Sequence, residues 1–530
     1  MSDCQGSKNH SIILLNREER APPGGYPGHL ISRYTETGRR HKTSRIKTDN
    51  RTNGRRSRHQ ERMWSSQKYC VLRASCLEKG CLFTDPEFPP EVTDPAVEWR
   101  RPLEFCSNPK FIESGSSSSD VCQGELGDCW LLSTLSSLTL HPSLFSRVVP
   151  ADQSFSTADG YCGIFHFKVW RFGDWLDVVV DDRLPTRKGR LVYTRSDSQA
   201  ELWSALLEKA YAKVSGGYSA LQGGTIAETL EDFTGGVAES VSLSRYTSEE
   251  VREMVLAAGR REALMACYIQ VSEAADIGRV DEDGLVLGHA YSVLGAKEVK
   301  RGSEELTLIR LRNPWGFTEY NGPWSDQSLE WRSVSDAERR ALNLQKEDGD
   351  FWMLCEDFCS LFSWIVICTC GMESSQCKVT EMRGRWERGV SAGGGRRLKS
   401  FFTNPQFRLR VGVASGVKVE SVTEPGIEER WTMLLELMQT DRRATKHHIA
   451  CHLYRVPEQL VPRPRLDRGF FTRSRPVSDT GEPQNSRGVT MRASLTPGEY
   501  VIVPSTYDLN QEGDFYIRVY CEKGTDDRIY

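Results

Sequence analysis

Gln123-Gly124-Glu125-Leu126-Gly127-Asp128-Cys129-Trp130 sets a cysteine where a glycine-bearing loop passes into an apolar segment. Trp130, Leu131, Leu132, Leu135 and Leu138 follow at helical spacing, and His141-Pro142 ends the run. A thiol in the first turn of a helix lies beside unpaired N–H groups and the positive end of the macrodipole, and both favour thiolate. Gly124 and Gly127 permit a tight turn and the close approach of another backbone. Gln123 stands where its amide could donate to a developing oxyanion. The same pattern also describes a buried core thiol at the start of an ordinary helix, and fifteen other cysteines compete with this one. A histidine and its orienting partner elsewhere in the chain must decide between the two.

Two strands supply them. Gly288-His289-Ala290-Tyr291-Ser292-Val293-Leu294-Gly295 alternates as a strand, and Leu306–Arg312 alternates and ends in the turn Asn313-Pro314-Trp315-Gly316. Cys129, His289 and Asn313 together have the logic of a papain-like thiol hydrolase. A thiolate–imidazolium pair attacks a carbonyl while a third group fixes the imidazole tautomer. Asn313 is expected to accept from His289, with Trp315 shielding that bond from water.

The bulk properties suit a soluble globular protein. At 530 residues the chain has room for roughly three or four domains. Residues 1–60 carry 13 Lys/Arg against 5 Asp/Glu, a net of +8, which leaves −11 for the rest at the overall −3. That balance gives no global attraction to nucleic acid. It suits an acidic body that binds cations and a basic tail, with Arg39–Arg58 open to a phosphate or lipid contact or simply solvated. The sixteen cysteines are scattered, with no recurring C-x-x-C pair at zinc spacing, so reduced thiols and a cytoplasmic location are expected. Ile12–Leu15 is too short for a signal peptide and is followed by charge, and the longest apolar run, near Leu361–Cys370, is far short of a membrane span.

Other segments read as elements in turn. Tyr69–Lys79 is predicted helical, Gly163–Val180 a hairpin about Phe172-Gly173-Asp174, and Glu201–Val214 a helix with Trp203, Leu206, Leu207, Ala210 and Tyr211 on one face. Gly216–Gly224 is predicted to be a hinge or subdomain boundary. Glu113, Gly115 and Asp120 lie in a serine-rich loop before the cysteine motif. Glu319 to Asp326 and Glu347-Asp348-Gly349-Asp350 are acidic loops that suit a hard cation and equally suit plain turns. From about residue 372, short strands at 384–387, 406–411, 431–438, 449–454, 490–494, 500–504 and 515–520 read as an antiparallel sandwich.

Gln123–Trp130, Gly288–Gly295 and Asn313–Gly316 resemble the three signature blocks of the calpains, calcium-dependent cytosolic cysteine proteases. Asp177–Pro185, Leu206–Lys213 and Asp232–Gly236 extend the likeness, which runs from about Leu72 to about Lys523. It is nearest to catalytic subunits of the kind that end in a penta-EF-hand domain. The resemblance implies an α+β fold, with a papain-like cysteine protease core of two subdomains followed by an antiparallel β-sandwich. The expected organisation is a disordered basic tail over 1–63, a helix and connection over 64–102, a cysteine-bearing subdomain over 103–224, a subdomain bearing His289 and Asn313 over 225–370, the sandwich over 371–526, and a tail over 527–530.

The resemblance further implies calcium as cofactor, one ion per subdomain, closing the cleft. The first set would be Asp120 and Glu201 with the carbonyls of Glu113 and Gly115. The second would be Glu319, Asp326, Asp348 and Asp350 with the carbonyl of Lys346. Where Asp350 stands the family usually has glutamate. No D-x-D-x-D-G loop is present, so no small regulatory subunit is expected as a partner. The family's aspartate-rich sandwich loop corresponds to Val411–Arg430, which offers only Glu420, Glu424, Glu428 and Glu429, so any phospholipid contact is expected to be weak. The implied activity is limited endoproteolysis of intracellular proteins. The alternative is a non-catalytic calcium- or lipid-responsive scaffold on the same fold, and a transglutaminase-type acyl transfer is disfavoured because its third member is normally aspartate.

Overall fold

The computed structural model describes residues 67–90, 94–113, 115–342, 349–370, 377–412, 430–440 and 447–524. The basic tail, Lys346, Asp348, most of the 411–430 stretch and residues 527–530 lie outside them. The described residues form two compact units, one running to 368 without 236–239, the other from 369 with 236–239.

The first unit is built on the helix Cys129–Leu138, all ten of whose residues are buried. A helix apolar on every side needs cover on every side. Helix Ile226–Thr234 lies along one flank, and the strands Leu264–Tyr268 and Ala290–Arg301 lie along another. Ser137 Oγ donates to the Met265 carbonyl at 3.0 Å and Ser292 Oγ to the Ser133 carbonyl at 2.8 Å, so the hydroxyls of this helix and sheet are satisfied where they meet. Leu131, Leu132, Leu135 and Leu138 are fully buried, each stabilising by about 1.5–3 kcal/mol relative to exposure.

On the cysteine side, strands Ile164–Arg171 and Asp174–Asp181 form the predicted hairpin. Phe172 (φ 48°) and Gly173 (φ 98°) both take left-handed backbone, which matches the twist of a two-residue turn. Helix Trp203–Ser215 packs beside it and buries two lysines. Lys209 Nζ donates to the Asp181 carboxylate at 2.6 Å and to the carbonyls of Asp181 and Arg183. Lys213 Nζ donates to Asp85, Gln67 and the Val179 carbonyl at 2.6–2.7 Å. On the histidine side, antiparallel strands lie in the spatial order Asp350–Leu354, Glu304–Arg312, Ala290–Arg301, Leu264–Tyr268 and Trp364–Thr369.

The segment read as a hinge or subdomain boundary, 216–224, is braced against the nucleophile helix and its loop. Gly216 (φ 99°) caps the preceding helix and Tyr218–Leu221 makes a short 3-10 turn. The Leu221 carbonyl accepts from Trp130 Nε1 at 3.1 Å, and Gly223 N–H donates to the Gly127 carbonyl at 3.0 Å. Glycine content signalled tight packing here, because a Cβ on Gly224 would fall 2.3 Å from the Trp130 ring. Short helices at Pro142–Val148, Cys355–Leu361 and Arg468–Arg473 were not anticipated, since two turns carry too little periodicity.

The second unit is a two-sheet sandwich. One sheet orders Cys377–Trp386, Gly513–Gly524, Arg430–Gln439 and Gly488–Leu495; the other orders Phe407–Val411, Gly498–Thr506, Ile449–Arg455 and Ser478–Asp479. Inward residues such as Leu435, Leu437, Leu453, Ile502 and Ile517 make its core. The first strand is longer than the predicted 384–387, because residues 377–383 pair with 516–522 of the neighbouring strand. Within this unit Arg518 Nε donates to Glu436 at 2.5 Å, with both side chains almost wholly buried. Arg518→Leu leaves Glu436 as an uncompensated buried charge and is expected to destabilise the sandwich by about 3–5 kcal/mol. Replacing both partners by apolar residues should recover most of that loss, as read from denaturant midpoints of the single and double variants.

Candidate active site

Cys129 is the first residue of its helix, and the loop before it is locked by contacts on both sides. A Cβ on Gly124 would sit 2.3 Å from the carbonyl oxygens of Val192 and Tyr193, so no other residue fits. Glu125 N–H donates to that same Val192 carbonyl at 2.9 Å, and Gly127 N–H donates to Gln222 Oε1 at 3.1 Å. Gln123 N–H donates across to the Pro314 carbonyl at 2.8 Å, which ties the cysteine loop to the turn after Asn313. The Gln123 side-chain amide donates at 2.7 Å to the Leu126 carbonyl, within its own loop.

His289 enters the strand Ala290–Arg301, and its Nε2 lies 2.9 Å from Asn313 Oδ1. Asn313 Nδ2 donates to the carbonyls of Phe317 and Thr318 at 3.1 and 2.8 Å, which fixes the amide orientation. Oδ1 is therefore an acceptor, and it also takes the Trp315 N–H at 3.0 Å. The imidazole must then carry its proton on Nε2, leaving the Nδ1 lone pair as the basic site. The Trp315 ring lies 5.2 Å from the imidazole and the Tyr291 ring 5.1 Å, edge-on.

The backbone N–H groups of Ala290, the residue after His289, and of Trp130 favour the thiolate form of Cys129. No hydrogen bond joins the thiol to the imidazole. Burial pushes the Cys129 thiol up to about 12, further than these N–H groups offset, and the Asp128 carboxyl adds to the rise. Burial likewise pushes His289 down to about 4 against the opposing bond to Asn313. Both groups are thus neutral as placed. The thiolate expected at a helix N-terminus is absent because desolvation of a side chain 2% exposed outweighs the helix field.

One pair of groups was missed from the sequence. Asp128 and Glu208 are buried against each other beneath the nucleophile loop. Glu208 accepts from the Thr194 hydroxyl at 2.8 Å and from its N–H. Burial, with the second carboxyl adding to it, holds Glu208 well above the usual carboxylate range; burial takes Asp128 up to about 7, so the pair keeps a proton. A glutamate among Leu206, Leu207, Ala210 and Tyr211 was the available signal, and it was read as part of an ordinary amphipathic helix.

Asp120 and Glu201 are also neighbours. Asp120 closes the turn Ser118–Asp120 and accepts from Ser117 N–H at 2.7 Å and Trp203 Nε1 at 3.4 Å. Glu201 accepts from Glu113 N–H at 2.7 Å and Ser196 Oγ at 3.0 Å. Burial raises Glu201 to about 7, and the facing Asp120 carboxyl adds to the rise. Two carboxyls held together off solvent need a proton or a cation between them, so this pair, with the loop of Glu113 and Gly115 beside it, fits a hard cation. The second set is not brought together in the same way. Glu319 Oε1 accepts from Gly349 N–H at 2.7 Å, while both Asp350 oxygens are taken by Arg310 and Arg312 at 2.6 and 2.7 Å. As placed, Asp350 is a partner of arginine, because its strand pairs residue for residue with the one that carries both guanidiniums. Asp326 is described, whereas Lys346 and Asp348 are not. Among the described residues, no three His, Cys, Asp or Glu side chains converge on a metal position.

A helix-borne cysteine beside a strand-borne histidine that is bonded to an asparagine, on an α+β core, defines the class of papain-like cysteine proteases. Residues 80–369 match the family model described as calpain family cysteine protease, and residues 382–520 match that of calpain large subunit, domain III. The calpain-1 catalytic subunit of Mus musculus is 43% identical over 484 residues, covering 86% of this chain and 67% of the relative. The calpain-2 catalytic subunit of Bos taurus is 42% identical over 494 residues, covering 88% and 69%. The chain belongs to the calpain family of cysteine proteases. Among solved structures, the pre-peptidase C-terminal domain of a collagenase from Bacillus anthracis aligns at 10% identity with a TM-score of 0.16, over 26% of this chain and 87% of that one, too slight a likeness to carry weight.

The acid sensitivity of the first unit follows from His289. Its pKa is lowered on folding from an ordinary 6.5 to about 4, so the unfolded chain binds the proton first. Stability is full above pH 6.5 and is lost as pH falls towards 4, by on the order of 3 kcal/mol. His289→Gln should flatten this slope in unfolding midpoints measured between pH 7 and pH 4.5; an unchanged slope would show that His289 is not the titrating group.

Proposed function

We propose that this chain is a calcium-dependent cysteine endopeptidase that makes limited cuts in other proteins. The observation that carries the reading is the Asn313 amide, whose fixed orientation leaves His289 Nδ1 free to take a proton beside the strand residue whose N–H favours the Cys129 thiolate. In the reaction, His289 takes the thiol proton and the Cys129 sulfur attacks the scissile carbonyl. The oxyanion is held by the Cys129 N–H and by the Gln123 amide, once that amide turns from the Leu126 carbonyl. The imidazolium then protonates the leaving amine, and water returns the acyl-enzyme to thiol by the same proton route. Asn313 holds the ring in one tautomer throughout, and the Trp315 ring limits water at that bond.

Asp120 and Glu201, with the carbonyls of Glu113 and Gly115, would hold calcium on the cysteine side; Glu319 and Asp326 would contribute on the histidine side together with Lys346 and Asp348, and Asp350 would join them on exchanging Arg310 and Arg312 for the ion. When bound, calcium supplies the positive charge that lets the paired carboxyls stay ionised and adjacent. The residue best placed to pass loop order to the triad is Gly349. Its N–H donates to Glu319, and its carbonyl accepts from the Asn313 N–H at 2.8 Å. Cytoplasmic location and protein substrates belong to the same proposal; no described helix is long and apolar enough to cross a membrane.

Cys129→Ala should abolish calcium-dependent cleavage of casein while leaving the unfolding midpoint near that of the parent chain. Persistent cleavage would end the assignment of the nucleophile. Iodoacetamide should label Cys129 slowly in chelator, because the thiol is buried and protonated, and at least tenfold faster with calcium. Asp120→Asn should move the calcium midpoint of that labelling upward. Equal labelling with calcium and with chelator would refute the calcium switch.

A further inference from the structure

Outside the protease site, one pair of reactive groups is brought together by the backbone itself. Helix Tyr69–Lys79 ends at Gly80, which takes left-handed backbone at φ 62°. Gly80 N–H donates to the Leu77 carbonyl at 3.2 Å and Cys81 N–H to the Cys76 carbonyl at 3.1 Å. These two bonds make a Schellman cap, in which the residue after the glycine folds back over a residue of the last helical turn and the two side chains meet. Here both of those residues are cysteines, and the neighbouring Cys81 thiol adds to the rise that burial gives the Cys76 thiol. A disulfide needs Cα atoms about 4.4–6.8 Å apart, and a direct N–H···O bond between the same two residues holds their backbones within that reach.

The surroundings separate this pair from the thiols nearest to it and from Cys129. Cys81 is exposed and Cys76 is buried, so one sulfur meets solvent while the other waits behind it. Cys162 shares the apolar cluster with Cys76, Tyr69 and Phe83, and its thiol donates to the Arg73 carbonyl at 3.9 Å. Cys70 is exposed on the same helix, but six residues separate it from Cys76, about 9 Å along the axis. Cys129 is 2% exposed and protonated, a poor target for an oxidant.

We infer that Cys76 and Cys81 are a redox-responsive dithiol that a hydroperoxide converts to a disulfide across the helix cap. The Cys81 thiolate attacks one peroxide oxygen, the O–O bond breaks, and the departing hydroxide leaves as water once protonated. Cys81 is then a sulfenic acid. The Cys76 sulfur attacks it, the S–O bond breaks, and the second oxygen leaves as water. Two thiols give up two electrons and two protons, and one hydrogen peroxide becomes two waters. The product fixes the Gly80 turn covalently. It thereby fixes the exit of the helix towards Phe83, whose N–H bonds to the Cys162 carbonyl at 2.8 Å. The pair, reached through the exposed Cys81, would consume oxidant ahead of the catalytic thiol.

The sequence makes the test direct. Trypsin cuts after Lys79, so Cys76 and Cys81 fall in separate peptides, 74–79 and 80–100, while Cys162 lies in 148–168 and Cys129 in 111–147. The full chain is treated with one equivalent of hydrogen peroxide, unfolded, blocked with iodoacetamide, and digested without reductant. The expected product is peptide 74–79 joined to 80–100 at their summed mass less two hydrogens, released by dithiothreitol, with Cys129 and Cys70 recovered alkylated. In Cys81→Ser the joined product should vanish and Cys76 should be recovered alkylated. A cross-link from either peptide to 148–168, oxidation of Cys129 ahead of this pair, or the absence of the joined peptides would each overturn the proposal.

Discussion

The Asn313 side chain is the contact on which the site depends. Its amide can point only one way, because two carbonyls claim its nitrogen and an imidazole and a backbone N–H claim its oxygen. That choice sets the His289 tautomer. Its backbone reaches further. Asn313 N–H bonds the Gly349 carbonyl in the acidic loop, and the next residue's carbonyl accepts from Gln123 on the cysteine side. A single strand end thus connects histidine, acidic loop and nucleophile loop, and a shift in any of them is felt at the imidazole.

Around this contact the core half that bears the cysteine is unusually polar inside. Lys209 and Lys213 are buried with three acceptors each, which repays their desolvation through geometry rather than through solvent. The Asp128–Glu208 and Asp120–Glu201 pairs have no such cationic partner among the described residues, and burial beside a second carboxyl raises Glu208 and Glu201. The two cases follow one rule. A buried charge is held only where an opposite charge or a full set of hydrogen bonds meets it, and otherwise the group goes neutral. Cys129 and His289 follow the same rule: burial pushes the thiol up and the imidazole down, each towards its neutral form.

Local pattern made much of this legible. Helical spacing after Cys129 and strand alternation around His289 and before Asn313 are written in short windows, and so are the hairpin about Phe172-Gly173 and the sandwich strands. Each depends on residues within a few positions of one another. Contacts between distant segments are not written in such windows. The glycine count of Gly216–Gly224 says nothing about the indole that fills the space beside Gly224. Nothing near Asp350 in sequence announces Arg310 and Arg312, which its carboxylate meets, because the strand that delivers them lies about forty residues away.

The sequence by itself determined which residues can do the chemistry and on what kind of element each stands, since side-chain type and hydrophobic period are local properties. Only the tertiary structure decided their states. Whether Cys129 carries a proton, which imidazole nitrogen is free, and which carboxyls face a partner carboxyl or a guanidinium all depend on burial and on neighbours from distant segments. Those are properties of the packed chain, because desolvation is set by everything around a group rather than by the residues beside it in sequence.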